Sequence, residues 1–213
     1  MDKNNETPSF FCVPDITGFT KLIANADINF TKEIIPVLLR KLIDCNILKM
    51  NVAEIEGDAI FFYRTGKLPT FNRIIQQCKL FYDIFSDYIQ SLKKVNEENY
   101  NKHLAHGELG LKIIIHYGNT NTSNIKGRTK LIGQDIIIVH NLLKNNIEEG
   151  EYILFTENYL KRVRLNNANL LLNCKNLKRG NDIYDYIGKV KYSYIRIDPS
   201  AFTNNIKTNK KTS

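Results

Sequence analysis

Apolar positions in this chain follow two alternating periods. Residues 10–13 form a short apolar run closed by Pro14 and Asp15, the pattern of a buried strand. Asp15-Ile16-Thr17-Gly18-Phe19-Thr20 then reads as a turn into a helix. Across residues 30–48 the spacing becomes helical, with Ile34, Leu38 and Leu42 on one face and Ile35, Leu39 and Ile43 beside them. Pro36 predicts a kink or a late helix start. Residues 52–55 and 59–63 read as a hairpin, with Glu56-Gly57-Asp58 as its turn. After a loop at 65–69, Phe71, Ile74, Ile75, Cys78, Tyr82, Phe85, Ile89 and Leu92 keep i, i+3, i+4, i+7 spacing and predict a core-facing helix.

Residues 96–109 are polar and predict a loop, and 111–115 predict a central strand. Residues 119–128 read as polar loop, 130–132 as a short strand, and Gly133 as a turn into an apolar helix through Leu143. Residues 152–155 predict a strand, and Thr156 caps a helix to about Leu165. The last strands are expected at 170–174 and 183–187, as an antiparallel pair. Alternating strands and helices with two adjacent strand pairs predict an α/β (α+β) sandwich, one mixed sheet covered by helices. One domain is expected over residues 9–200, with a disordered leader at 1–8 and a disordered basic tail at 201–213.

A chain of 213 residues can bury a core without metal or disulfide staples. Its four cysteines, Cys12, Cys45, Cys78 and Cys174, are scattered and read as reduced small hydrophobes. No apolar run approaches the roughly 18 residues of a membrane helix, and the polar N-terminus lacks a signal core, so a cytoplasmic protein is expected. The net charge of +8 is unevenly placed. Residues 161–213 hold twelve Lys/Arg and three Asp, whereas residues 1–160 hold eighteen Lys/Arg and nineteen Asp/Glu. A nucleic-acid surface would need denser clustering with interleaved aromatics, so the excess reads as a solvated tail.

Two aspartates stand where strands end. Asp15 precedes a helix start whose backbone N–H groups, at Thr17, Gly18, Phe19 and Thr20, can face an anion. Asp58 follows Gly57 in the hairpin turn. If their strands are neighbours, the two carboxylates suffice for Mg²⁺ bound together with substrate phosphates. The plainer alternative makes Asp15 a helix cap and Asp58 an ordinary turn residue. His103 and His106 have no further ligand nearby in sequence, and His140 lies on the helix after Gly133.

The stretch Phe11-Cys12-Val13-Pro14-Asp15-Ile16-Thr17-Gly18-Phe19-Thr20 resembles the first metal motif of class III nucleotidyl cyclases. Glu54-Ile55-Glu56-Gly57-Asp58-Ala59-Ile60-Phe61-Phe62 resembles the second. Leu111-Lys112-Ile113-Ile114-Ile115-His116-Tyr117-Gly118 resembles the central strand, with Ile114 where a glycine is usual. Leu131-Ile132-Gly133-Gln134-Asp135 is similar to the start of the next motif. The motifs keep the family's order over about residues 9–190, and similar forms occur in a group of uncharacterised cyclase-like proteins. The resemblance implies a ferredoxin-like fold with a mostly antiparallel sheet, acting as a homodimer. It implies attack of a ribose 3′-hydroxyl on the α-phosphate of a purine nucleoside triphosphate, with two Mg²⁺ or Mn²⁺ ions. Asp15 and Asp58 would hold the ions, assisted by the Ile16 carbonyl.

The resemblance also implies a base pocket, which the partner chain of the homodimer would supply together with the transition-state groups. The family's purine-reading positions are Glu54 and Lys130 here, a pair that suits guanine, and hence GTP, better than adenine. An ordinary surface ion pair, worth about 0–1 kcal/mol, is the alternative. Lys178, in Asn176-Leu177-Lys178-Arg179-Gly180, falls near the family's phosphate-binding lysine, eight residues before Tyr186. Arg179 can serve instead, and a solvated basic turn is the plain alternative. The family's ribose-orienting asparagine and transition-state arginine are replaced by Ile137 and Asn141. Losing one such donor typically costs about 10²–10³ in rate. The reading is therefore nucleotide binding through metal with weak or divergent cyclisation. The alternative is a catalytically silent dimerisation or regulatory module.

Overall fold

A computed structural model describes residues 6–26, 28–104, 109–164 and 177–197. Strand β1 (Thr7–Thr17) leads through α1 (Phe19–Asn25) and α2 (Ile28–Asp44) to the hairpin β2 (Asn51–Glu56) and β3 (Ala59–Thr65). Helices α3 (Phe71–Val95) and α4 (Glu97–His103) precede β4 (Gly110–Ile125) and β5 (Arg128–Ile132). The chain continues as α5 (Gln134–Leu142), β6 (Tyr152–Thr156), α6 (Glu157–Arg164), β7 (Lys178–Tyr184) and β8 (Gly188–Arg196).

The sheet order is β2-β3-β1-β4-β6-β8-β7, with β5 paired to the outer half of β4. Its first four strands, with the helices that join them, are the ferredoxin-like βαββαβ unit. Every pairing is antiparallel except β4–β6. The expected mixed, mostly antiparallel sheet covered by helices is therefore the observed one.

Period-two alternation divides the core. Phe10, Cys12, Ile16, Ile60, Phe62, Ile113 and Ile115 pack beneath α2, α3 and α6. Phe11, Val13, Phe61, Ile114 and Leu154 face α5, which contributes Ile136, Val139 and Leu142. Asp15 falls on the α5 side by the same alternation.

Several boundaries differ from the sequence expectation. β1 begins at Thr7 and runs through Pro14 to Thr17. Its β4 ladder is continuous, but its β3 ladder skips from Cys12–Phe62 to Asp15–Ala59, so Pro14 sits opposite a gap. α2 likewise continues through the exposed Pro36. α4 replaces part of the expected loop, and Asn96 caps it by accepting from the Asn99 amide at 3.0 Å. The expected loop at 119–128 is the outer half of β4 and a tight hairpin to β5, turned by Lys126 and Gly127 at positive φ. Among the described residues β7 pairs antiparallel with β8, and the expected strand at 183–187 spans the turn between them. The turn lies near Tyr186, and residues 170–174 lie outside the described residues, as do His106 and Cys174. Cys12, Cys45 and Cys78 are free, and burial pushes the Cys12 thiol well above its ordinary value.

Candidate functional site

The β1–β3 register sets Asp15 opposite Ala59, the residue after Asp58. The two carboxyl groups that the sequence places 43 positions apart thus come within hydrogen-bonding reach of each other. Asp15 is 7% exposed. Burial pushes the Asp58 carboxyl up to about 7, and the charge and hydrogen bond of Asp15 push in the same direction. Lys112, directly across from Asp15 on β4, lies 2.8 Å from Asp15 Oδ2 and donates to the Leu143 carbonyl at 2.6 Å. That lysine ties the end of α5 to the aspartate pair. Sequence reasoning did not single it out, although a charged residue one step from Ile113 in an apolar strand was a usable signal.

Past Asp15, β1 keeps a ladder neighbour only on the β4 side, so Ile16 and Thr17 leave the β3 ladder. The Thr17 hydroxyl donates to the Gly150 carbonyl at 2.8 Å. Gly18 turns the chain at φ 80°, a conformation that suits glycine, and Phe19 opens α1. Among the described residues there is no cluster of three or more His, Cys, Asp or Glu side chains placed for a metal. The pair nevertheless fits a divalent ion. Burial and the neighbouring Asp15 disfavour the charged Asp58 carboxylate, a penalty that a cation beside it would relieve, and hard oxygen ligands suit Mg²⁺ or Mn²⁺.

A second cluster lies on the α5 side of β2 and β3. Lys130 Nζ donates to Glu54 Oε2 at 2.8 Å, so the two residues singled out for the base do meet. His140 joins them, with Nε2 3.0 Å from Glu54 Oε1 and Nδ1 2.9 Å from Glu56 Oε2. Burial raises the Glu54 carboxyl, but Lys130 and His140 outweigh it and hold it below its ordinary value. Ile137 is 52% exposed on the same helix, with Asn141 one turn on.

Lys178 is not in a loop. It begins β7, at the end of the hairpin far from Tyr186. Its ammonium is hydrogen-bonded to Glu149 and lies 5.7 Å from the Tyr194 ring centroid. Lys178 and Arg179 line an open cleft of about 1000 Å³, but Glu148, Glu149 and Glu151 line it too, so its charge is mixed. His103 is buried against Phe30, with ring centroids 6.2 Å apart.

The motifs of β4 and α5 meet in a buried network that sequence reasoning missed. His116 Nδ1 lies 2.8 Å from Thr156 Oγ1, and Nε2 lies 2.8 Å from Asp135 Oδ1. Asp135 Oδ2 accepts from the Asn119 amide at 2.7 Å. Burial raises the Asp135 carboxyl, but His116 and the Asn119 amide together hold it below its ordinary value.

This sheet, with paired aspartates at the β1 and β3 ends, has the fold of adenylyl and guanylyl cyclase catalytic domains. The adenylyl cyclase CyaB from P. aeruginosa superposes with a TM-score of 0.55 at 10% identity, covering 93% of this chain and 98% of that one. The guanylyl cyclase Cya2 gives 0.59 at 13%, covering 93% and 97%. The guanylate cyclase domain of RhGC from Catenaria anguillulae, in complex with GTP, gives 0.55 at 12%, covering 91% and 100%. Within that fold class, residues 35–152 match the family described as "Protein of unknown function (DUF2652)", and the chain belongs to that family. It is also 28% identical over 108 residues to "Uncharacterized protein Rv2561/Rv2562" of Mycobacterium tuberculosis. That match takes in 51% of this chain, which spans about half of the relative's length. No helix among the described residues is long and apolar enough to cross a membrane.

Proposed function

We propose that this cytoplasmic domain binds a purine nucleoside triphosphate through divalent metal, as a homodimer. The observation that carries the reading is the convergence of Asp15 and Asp58 at neighbouring strand ends in a cyclase-class fold. Asp15, Asp58 and the Ile16 carbonyl would hold two Mg²⁺ or Mn²⁺ ions, which neutralise phosphate charge and favour displacement at the α-phosphate. Thr17, Gly18 and Phe19 shape the turn beside them, and Lys112 holds Asp15 in place. Glu54 accepts and Lys130 donates, a combination that suits guanine, so GTP is preferred over ATP. Lys178, whose ammonium already donates to Glu149, would meet phosphate with its remaining donors.

Cyclisation is weak in this reading, because α5 offers neither an amide at Ile137 nor a guanidinium at Asn141. The same two residues favour a second reading, a catalytically silent module that dimerises or regulates. Calorimetric titration with GTP and ATP in Mg²⁺ or Mn²⁺, on wild type, Asp15→Ala and Asp58→Ala, tests the first. Metal-dependent binding that both substitutions abolish is expected. Binding indifferent to either aspartate would sink the proposal. Cyclic product from α-labelled GTP then separates the weak enzyme from the silent module.

A further inference from the structure

This inference rests on the nucleotide reading and concerns the place assigned to the base. Both carboxylate oxygens of Glu54 are already engaged, Oε2 by Lys130 and Oε1 by His140. The other ring nitrogen of His140 lies 2.9 Å from Glu56 Oε2, and an imidazolium donates to both carboxylates at once. The imidazole lies on Phe61 with ring centroids 4.2 Å apart and planes 27° from parallel. A flat heteroaromatic ring of the chain itself therefore stacks on an aromatic side chain and bonds through its edge to Glu54. Those are the contacts a purine would seek. Beside this stack, a cavity of about 10 Å³ that His140 does not line lies between Phe61, Tyr63, Lys130 and Ile136. That is room for at most one water.

We infer that His140 is a built-in plug of the base site: its imidazole takes the stacking place on Phe61 and the Glu54 edge, and a purine enters only when this side chain swings out. The geometry permits that motion. His140 is 30% exposed and sits on the flank of α5, whereas Ile136, Val139 and Leu142 anchor the helix. A change of rotamer moves the ring into solvent without disturbing those three. The closed form dominates because leaving it forfeits Glu54, Glu56 and the Phe61 stack together. Apparent affinity for any purine then falls by the fraction of molecules that are open. Glu56 favours the closed form, since it lies in the exposed hairpin and pairs with His140, although its charge also acts on Lys130.

The test uses the full chain and two probes without phosphate, guanosine and adenosine, in metal-free buffer. Binding is measured by calorimetry or ligand-observed NMR on wild type, His140→Ala and Glu56→Ala. Removing the plug should tighten nucleoside binding about tenfold or more in His140→Ala, as expected when a minor open state becomes the major one. Glu56→Ala should move the same way by less, and it guards against a folding defect in the first variant. Equal or weaker binding in both variants, or no binding by any of the three proteins, overturns the plug. Failure of the underlying reading looks different. Guanosine would then bind the variant tightly while GTP with Mg²⁺ gained nothing over it. Conversely, aspartate-dependent GTP binding of equal strength in wild type and His140→Ala would keep the metal reading and defeat the plug.

Discussion

Asp58 and Asp15 stand on adjoining backbone segments, and burial together with the charge and hydrogen bond of Asp15 makes Asp58 harder to ionise. The folded protein keeps a proton on Asp58 up to about pH 7, whereas an unfolded chain releases it near the model-peptide value of about 4. Between those values the native state binds more protons than the unfolded one, so this group makes stability fall as pH rises. Metal-free protein should therefore lose stability from about pH 4 to about pH 7, and Asp58→Asn should flatten that part of the profile. Urea unfolding at a series of pH values checks it, and an unchanged slope in the variant would assign the loss elsewhere. Asp135 acts with the opposite sign and at lower pH. Its depressed carboxyl contributes stability above the unfolded value, which is lost as pH falls through the folded one. The sequence showed both Asp15 and Asp58 at strand ends. Their encounter was not legible, because it depends on the β1–β3 register.

Between elements, the sequence was most legible where one face is buried. The α3 stripe and the apolar halves of β1, β3, β4 and β6 stand close to their expected positions. α4, the outer half of β4 and most of β7 were missed for one reason: little of their surface reaches the core, so no period shows in their apolar residues; β5 stands over the strand expected at 130–132. β7 buries only Asp182 along its length, held by Tyr192 at 3.0 Å and Asn146 at 2.7 Å. The joint between β4 and α5 shows what such reading leaves out. Gly118 was noticed only as part of a motif, yet a Cβ there would fall 2.0 Å from Asp135 Cγ. The glycine makes room for the carboxylate that holds His116 and the Asn119 amide. Asp135→Ala should cost about 1–3 kcal/mol, because it leaves a buried imidazole nitrogen without its partner. Denaturant midpoints would measure this, and a loss of a few tenths would mean that water replaces the carboxylate.

At the scale of the molecule, the fold and the chemistry separate. Solved structures of the same architecture at 10–13% identity show that this kind of sheet forms from almost wholly different side chains. What the sheet does is therefore decided by the few residues at its ends and along α5. If the chain keeps the metal end and lacks only the donors on α5, those donors can be restored. Ile137 is exposed and Asn141 half-exposed, so changing them removes nothing from the core that Ile136, Val139 and Leu142 build. Ile137→Asn with Asn141→Arg should raise cyclic-product formation from GTP by about 10²–10³, the usual worth of one preorganised donor to a transition state. The two changes need not add. The gain should appear in kcat more than in KM, because such donors act on charge that develops during reaction. It should vanish when Asp58→Ala is added. A folded double variant that binds GTP through both aspartates and still yields no product would place the defect elsewhere. The closed arrangement of His140 over Phe61 would then be the next group to remove.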